Sequence, residues 1–165
     1  MAVNTGRTVT KFIRFGVDDS GGVVREIPID SISPVGFVYD ETELTAWQDQ
    51  VKGYLTNHPD CPIDITGPFD NSIAVGFAAS AATPALSGSH TVLSGIVGGV
   101  TPLALGVHFG IRHYWETGEP VFGVVTASTT TGYLCTKYSI EGEKYSARFV
   151  PYPGSIPAWG TAIAA

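Results

Sequence analysis

Four histidines, His58, His90, His108 and His113, are the residues best equipped for acid–base or metal chemistry. His108 and His113 fall on one strand-like run with opposite parity, so they face opposite sides and cannot share a metal ion. His58 belongs to the turn Asn57-His58-Pro59-Asp60 and His90 to the start of a helix. Carboxylates pair at Asp18-Asp19, Asp40-Glu41 and Glu141/Glu143, in turn- or loop-like segments where acids solvate and cap. Glycoside hydrolysis would need two of them converging on a cleft. Ser94 in LSGIVGG lacks the leading glycine of a nucleophile elbow. Gly21-Gly22 and Gly98-Gly99 read as turn glycines, and no phosphate-binding loop motif is present. Cys61 and Cys135 form no CxxC; Cys135 reads as a small core residue, and a disulfide between the two stays open. Trp47, Trp115 and Trp159 have the surface to stack on sugars, but such residues more often anchor cores and interfaces. No catalytic residue, metal or cofactor is assigned, and the chain reads as a non-enzyme.

The elements that hold these residues are mostly strands. In TPLALGVHFGIRHYW, Leu103, Leu105, Val107, Phe109, Ile111, His113 and Trp115 fall on alternate positions, the pattern of a strand with one buried face. The intervening Gly106, His108, Gly110 and Arg112 are small or polar, as suits the face turned away from the core. Three further runs follow, carrying Phe122, Tyr138 and Phe149. With the first they predict one antiparallel sheet over Thr101–Tyr152, whose core side is Leu105, Val107, Phe109, Ile111, Trp115, Phe122, Tyr138 and Phe149. Upstream, residues 7–30 predict a hairpin turning at Asp18–Gly22, with Pro28 at an edge or a frayed end.

Residues 43–55 are ambiguous. Leu44, Trp47, Val51 and Tyr54-Leu55 stand at helical spacings, yet the same residues suit a strand pair or an extended arm. Residues 72–89 form an uncharged Ala/Ser/Gly-rich loop up to His90. Ser89–Gly99 predicts a short helix, capped by Ser87 or Ser89 and stopped by Gly98-Gly99. Residues 153–165 predict an uncharged extended tail, pinned by Trp159. The whole, 1–165, reads as a single mainly β domain. It is an antiparallel β-sandwich or barrel-like fold with one short α-helix, an extended loop and a C-terminal arm.

Only 15% of residues are charged, against about 25% in ordinary soluble domains, which points to a surface covered by neighbours. The net charge of −6 is uneven: residues 26–70 set nine acids against Lys52 alone. No basic stripe exists to track a phosphate backbone, so specific nucleic-acid binding is not expected. The segment MAVNTGRTVTK has no apolar core of a signal peptide, and no run reaches the ~20 apolar residues of a membrane helix. No membrane partner is expected, and synthesis in a cytoplasm is.

The order of elements, with EPVFGVVTAS and GYLCTKYSIEGEKYSARFVPYPG closing the sheet, resembles the tail tube (major tail) proteins of long-tailed phages. The matching residues are Phe122 to Ser128 and Tyr138 to Phe149, and VDDSGGVVREIPIDSI resembles an N-terminal hairpin of phage virion proteins. The resemblance implies a virion structural protein that self-assembles into rings, expected to be hexameric and stacked, beside other virion proteins. DNA would pass through a lumen, and the acids of residues 26–70 would either line it, repelling phosphate, or lie at a ring-to-ring contact. Asp40, Glu41, Glu43 and Trp47, in a long loop, and Trp159 are the expected subunit-interface residues. A capsid decoration or minor head protein is the nearest alternative. A carbohydrate-binding β-sandwich using Tyr114 and Trp115 is the alternative of another class.

Overall fold

The first hairpin forms where the Asp18–Gly22 turn allows it. Strands β1 (Ile13–Asp18) and β2 (Val24–Ile27) pair antiparallel, with Phe15 opposite Ile27. Asp19 Oδ1 accepts the N–H groups of Gly21 (2.8 Å) and Val23 (3.0 Å), and Gly22 takes the left-handed φ of 78° that the turn requires. Pro28 follows the last residue of β2, so its missing N–H falls at the frayed end of the strand.

The computed structural model describes residues 7–72, 84–110 and 118–162. Strands β3 (Ser31–Ile32), β4 (Val38–Glu43), β5 (Tyr54–Asp60), β6 (Ile63–Pro68) and β7 (Ala85–Leu86) come before helix α1 (Ser89–Ile96). After it come β8 (Leu105–Phe109), β9 (Val121–Val124), β10 (Tyr133–Glu141), β11 (Lys144–Pro151) and β12 (Ala158–Gly160). One sheet has the order β12-β9-β8-β1-β2-β7 and a second the order β10-β11-β6-β3. Among the described strands, β4 and β5 pair only with each other, and every pairing is antiparallel save the short parallel contact of β2 with β7. The fold is mainly β and sandwich-like, with one α-helix among the described residues and no closed barrel among the described strands.

The single sheet expected over Thr101–Tyr152 is divided. β8 and β9 pair within the first sheet, whereas β10 and β11 belong to the second. The inner faces meet in one core. Phe15, Val17, Ile27, Leu105, Val107 and Phe122 come from the first sheet, and Ile63, Ile65, Tyr133, Tyr145 and Phe149 from the second. Phe15 and Phe149 touch across the gap with ring centres 5.2 Å apart. Each such side chain is worth roughly 1.5–3 kcal/mol when fully buried. The two tyrosines bring hydroxyls into the core and satisfy them there. Tyr133 donates to the Cys61 carbonyl (3.2 Å) and Tyr145 to the Pro28 carbonyl (2.7 Å).

Helix α1 adds Val92, Leu93 and Ile96 to this core and packs on β10 and β2. Neither expected serine caps it, because its N-cap is Gly88. Ser89 Oγ instead donates to the Pro68 carbonyl (2.9 Å) and accepts the Asp70 N–H (3.1 Å), tying the helix to the end of β6. The far face of β8 also differs from expectation, since Gly106 and His108 are buried. A polar layer crosses that face, with Arg14 Nη1 2.8 Å from Glu26 Oε1 and His108 Nε2 3.4 Å from Glu119 Oε2. Ile111 and Trp115, expected on the core side, lie outside the described residues, as does most of the 72–89 loop.

Gly67 in β6 leaves no room for a side chain: a Cβ there would stand 2.6 Å from the Pro28 carbonyl oxygen and 3.0 Å from the Tyr145 ring. Gly67→Ala is expected to lower the unfolding free energy by about 1–3 kcal/mol. Gly160→Ala, where a Cβ meets nothing within 4 Å, should stay within ~0.5 kcal/mol. Urea unfolding followed by tryptophan fluorescence measures both, and equal midpoints would refute the crowding at Gly67.

Candidate functional site: a projecting arm and the cleft at its root

The residues with catalytic potential are dispersed and occupied. Asp18 is buried at the end of β1, where its Oδ2 accepts the Ala104 N–H (2.8 Å). Asp19 is taken up by its turn and by Arg25 Nε at 3.2 Å. Asp40 and Glu41 lie within strand β4 rather than in a loop, and Glu141 and Glu143 flank the exposed β10–β11 turn. His90 Nδ1 lies 2.9 Å from the Tyr138 hydroxyl and its ring packs on Phe69; His58 is exposed on β5. Ser94 Oγ donates to the His90 carbonyl within α1. Both cysteines are buried free thiols; burial pushes the Cys61 thiol up and that of Cys135 to about 11, which suppresses the thiolate. Among the described residues, no three His, Cys, Asp or Glu side chains gather where a metal ion would sit. His113, Tyr114 and Trp115 lie outside them.

What the chain does present is an arm. Residues 43–55 are not helical: β4 and β5 form a hairpin whose thirteen strand residues are all exposed. The arm holds itself together. Thr42 and Asn57 exchange side-chain hydrogen bonds (3.0 and 3.2 Å), the Leu44 N–H reaches the Gly53 carbonyl (2.9 Å), and Thr45 Oγ1 accepts the Gly53 N–H (3.1 Å). At the tip the Asp49 N–H returns to the Ala46 carbonyl (3.0 Å) while Asp49 Oδ2 accepts the Ala46 N–H (2.9 Å). That turn puts Trp47 at its outer corner, fully exposed. Val38, Leu44, Val51, Tyr54 and Leu55 are exposed as well. The helical spacing was real, but none of those side chains is buried in its own molecule.

The arm also explains the acidity of residues 26–70. Glu26, Asp30 and Asp64 in the body are matched by Arg14, Lys144 and Arg148 at 2.8, 2.8 and 3.0 Å. Asp40, Glu41, Glu43, Asp49 and Asp60 remain on the arm, with Lys52 as its only cation. Lys52 Nζ stands 3.9 Å from Glu43 Oε1.

At its root the arm is fixed by aromatic rings. Phe37 sits edge-on to Phe122, with centroids 5.5 Å apart. The tail expected beyond residue 152 is pinned there too, because β12 extends the first sheet. Trp159 packs at 5.0 Å from Phe122 and 5.7 Å from Phe109 while staying half exposed. Leu105, Val107, Phe122 and Phe149 are fully buried, and Phe109 and Tyr138 pack partly buried against the same core. Between the end of β5 and segment 151–157 opens a cleft of about 310 Å³, walled by Phe37, Pro59, Cys61, Pro151, Ile156 and Pro157. Ile156 is itself 84% exposed. A sequence cannot announce this cleft, since its walls are three prolines, other apolar residues and the polar His58, Asp60 and Ser155, drawn from segments about ninety positions apart.

No protein-family model matches the chain, and no curated protein matches it in sequence. Its fold does match solved structures. One is the cap of the anti-feeding prophage, described as a tube-terminating cap: 12% identity, 98% of this chain and 95% of that one, TM-score 0.54. Another is the sheath/tube terminator of an extracellular contractile injection system in its extended state: 10% identity, 97% of each chain, TM-score 0.53. At these identities the likeness is one of fold, and it runs the length of both chains.

Asp18 supplies a test of the body that holds the arm. Burial raises its pKa, and the Ala104 N–H opposes that shift. A raised folded-state pKa favours the fold below the ordinary aspartate value, and this contribution is lost as pH rises through the folded one. Asp18→Asn keeps an acceptor for Ala104 without the charge, so its melting temperature should gain on the native protein between about pH 3 and pH 7. Asp18→Ala, which strands the Ala104 N–H, should lose about 1–3 kcal/mol at either pH. A pH-independent difference between the native protein and Asp18→Asn would show that burial of the charge is not the cause.

Proposed function

We propose that this chain is a structural subunit of a phage-tail-like particle, forming a ring that closes the end of a tube. The observation that carries the reading is the likeness, over nearly the full length of both chains, to two proteins named as tube terminators. The arm supports it independently. A hairpin with every strand residue exposed and a bare tryptophan at its tip serves no purpose inside one subunit and suits contact with another. On this reading Asp40, Glu41, Glu43 and Trp47 mediate assembly, Trp159 lies where the tail meets a neighbour, and the protein turns over no substrate. Its place is the particle, assembled in the host cytoplasm beside other tail proteins.

A tube subunit, the reading that the sequence alone favours, would use the same sandwich in stacked, hexameric rings around a DNA-conducting lumen. The two roles differ in whether rings stack. Purified protein at high concentration, imaged by cryo-electron microscopy and weighed by light scattering, is expected to give single rings of one stoichiometry. Tubes of variable length would transfer the assignment to the tube subunit. A monomer that persists at high concentration, with or without tube proteins, would overturn both.

A further inference from the structure

The chain carries a knob and a hole at opposite ends of its arm. The knob is Trp47, held fully outside the molecule by the Ala46–Asp49 turn. The hole is the cleft of about 310 Å³ at the arm root, walled by Pro59, Pro151, Pro157, Phe37 and Ile156. The seven residues of β5 separate them, roughly 20 Å at strand rise, so a tryptophan at the tip cannot turn back into its own cleft. We propose that Trp47 of one copy seats in the arm-root cleft of the next copy, and that this is the contact that joins neighbours within the ring. The inference names the partner of the arm and rests on the reading of the chain as a ring-forming subunit.

Shape and chemistry agree. Pro59, Pro151, Pro157, Phe37 and Ile156 give flat apolar walls for an indole, His58, Asp60 and Ser155 add polar groups that its N–H can meet, and about 310 Å³ is room enough for one such ring. Tryptophan is also among the residue types enriched at interface hot spots. Charge selects a second copy in one orientation. The arm has five acids and one lysine, so two arms laid side by side repel. Head to tail, Lys52, five residues beyond Trp47, approaches Asp60, which lines the cleft and meets no cation of its own chain among the described residues. A knob and a hole on different surfaces make a heterologous contact, and a heterologous contact that closes generates a ring.

Trp47→Ala should keep the native melting temperature, since the side chain touches nothing in its own subunit, and should raise the concentration needed for rings at least tenfold. Lys52→Glu and Asp60→Lys should each weaken assembly, and the two together should restore it. The position is read directly by mixing two copies of different size, one with Trp47→Cys and the other with Ile156→Cys. Mild oxidation should link the large copy to the small one, because Cys61 and Cys135 are buried. Rings unchanged by Trp47→Ala, or Trp47→Cys copies linking only to each other, would overturn the contact while leaving the ring reading intact. A native protein that forms no ring and gives no link between positions 47 and 156 would overturn both.

Discussion

Phe15 and Phe149, with ring centres 5.2 Å apart, mark the plane where the two sheets meet, and the rest of the structure depends on keeping that plane dry. Sheets that bury one face against each other must be joined by a chain that crosses between them without stranding its own polar groups. Segment 97–104 does this. The Gly98 N–H reaches the Cys135 carbonyl on β10 (2.9 Å), and Leu103 and Tyr133 exchange two backbone bonds of 2.8 Å. Ala104 then exchanges its N–H and carbonyl with Asp18 at the end of β1. Within a few residues the strap is bonded to both sheets in turn. Helix α1, just before it, fills the end of the core and needs no side-chain cap, because Ser89 bonds it to β6 and Asp70.

A body fixed in this way gives the arm a rigid base. Phe37 against Phe122, and Trp159 against Phe122 and Phe109, carry the order of the first sheet to the point where β4 departs. Beyond that point the arm relies on its own ladder and on side-chain bonds such as Thr42–Asn57. An isolated two-stranded hairpin is marginal in water. One that also exposes Leu44, Trp47 and Val51 gains most from a partner that covers them.

Much of this architecture was legible in the sequence, because alternation reports burial. Leu105 and Val107 on β8, and Tyr145 and Phe149 on β11, alternate because one side of each strand faces the core. The β1–β2 turn was legible because Asp19 and Gly22 have few other uses in that order. Two things were not. Alternation says that a strand has an inner face but not which sheet it joins, so the separation of β8–β9 from β10–β11 was invisible. It also cannot distinguish a side chain that buries itself in its own molecule from one awaiting another. The helical spacing of Leu44, Trp47, Val51 and Tyr54 was therefore mistakable for an amphipathic helix. Polar residues mislead in the opposite sense: His108 looked like a surface residue, yet it is fully buried beside Glu119.

The sheet edges bear on how such a chain assembles. A long bare edge is a template for open-ended addition of further strands. In the described residues, three of the four outer strands of the body are too short for that: β12 has three residues, β3 and β7 two each. The fourth, β10, has nine, but a register shift falls between Cys135 and Lys137, and Lys137 and Glu141 place charges along it. Edges of this kind discourage fibres, so the body offers little through which copies could add without limit. The arm is different. Its reach is set by one hairpin, its apolar tip is a single tryptophan, and its acids repel a second arm. On the proposed reading, a blunted body with one directional arm would close on itself, each copy giving one arm and receiving one.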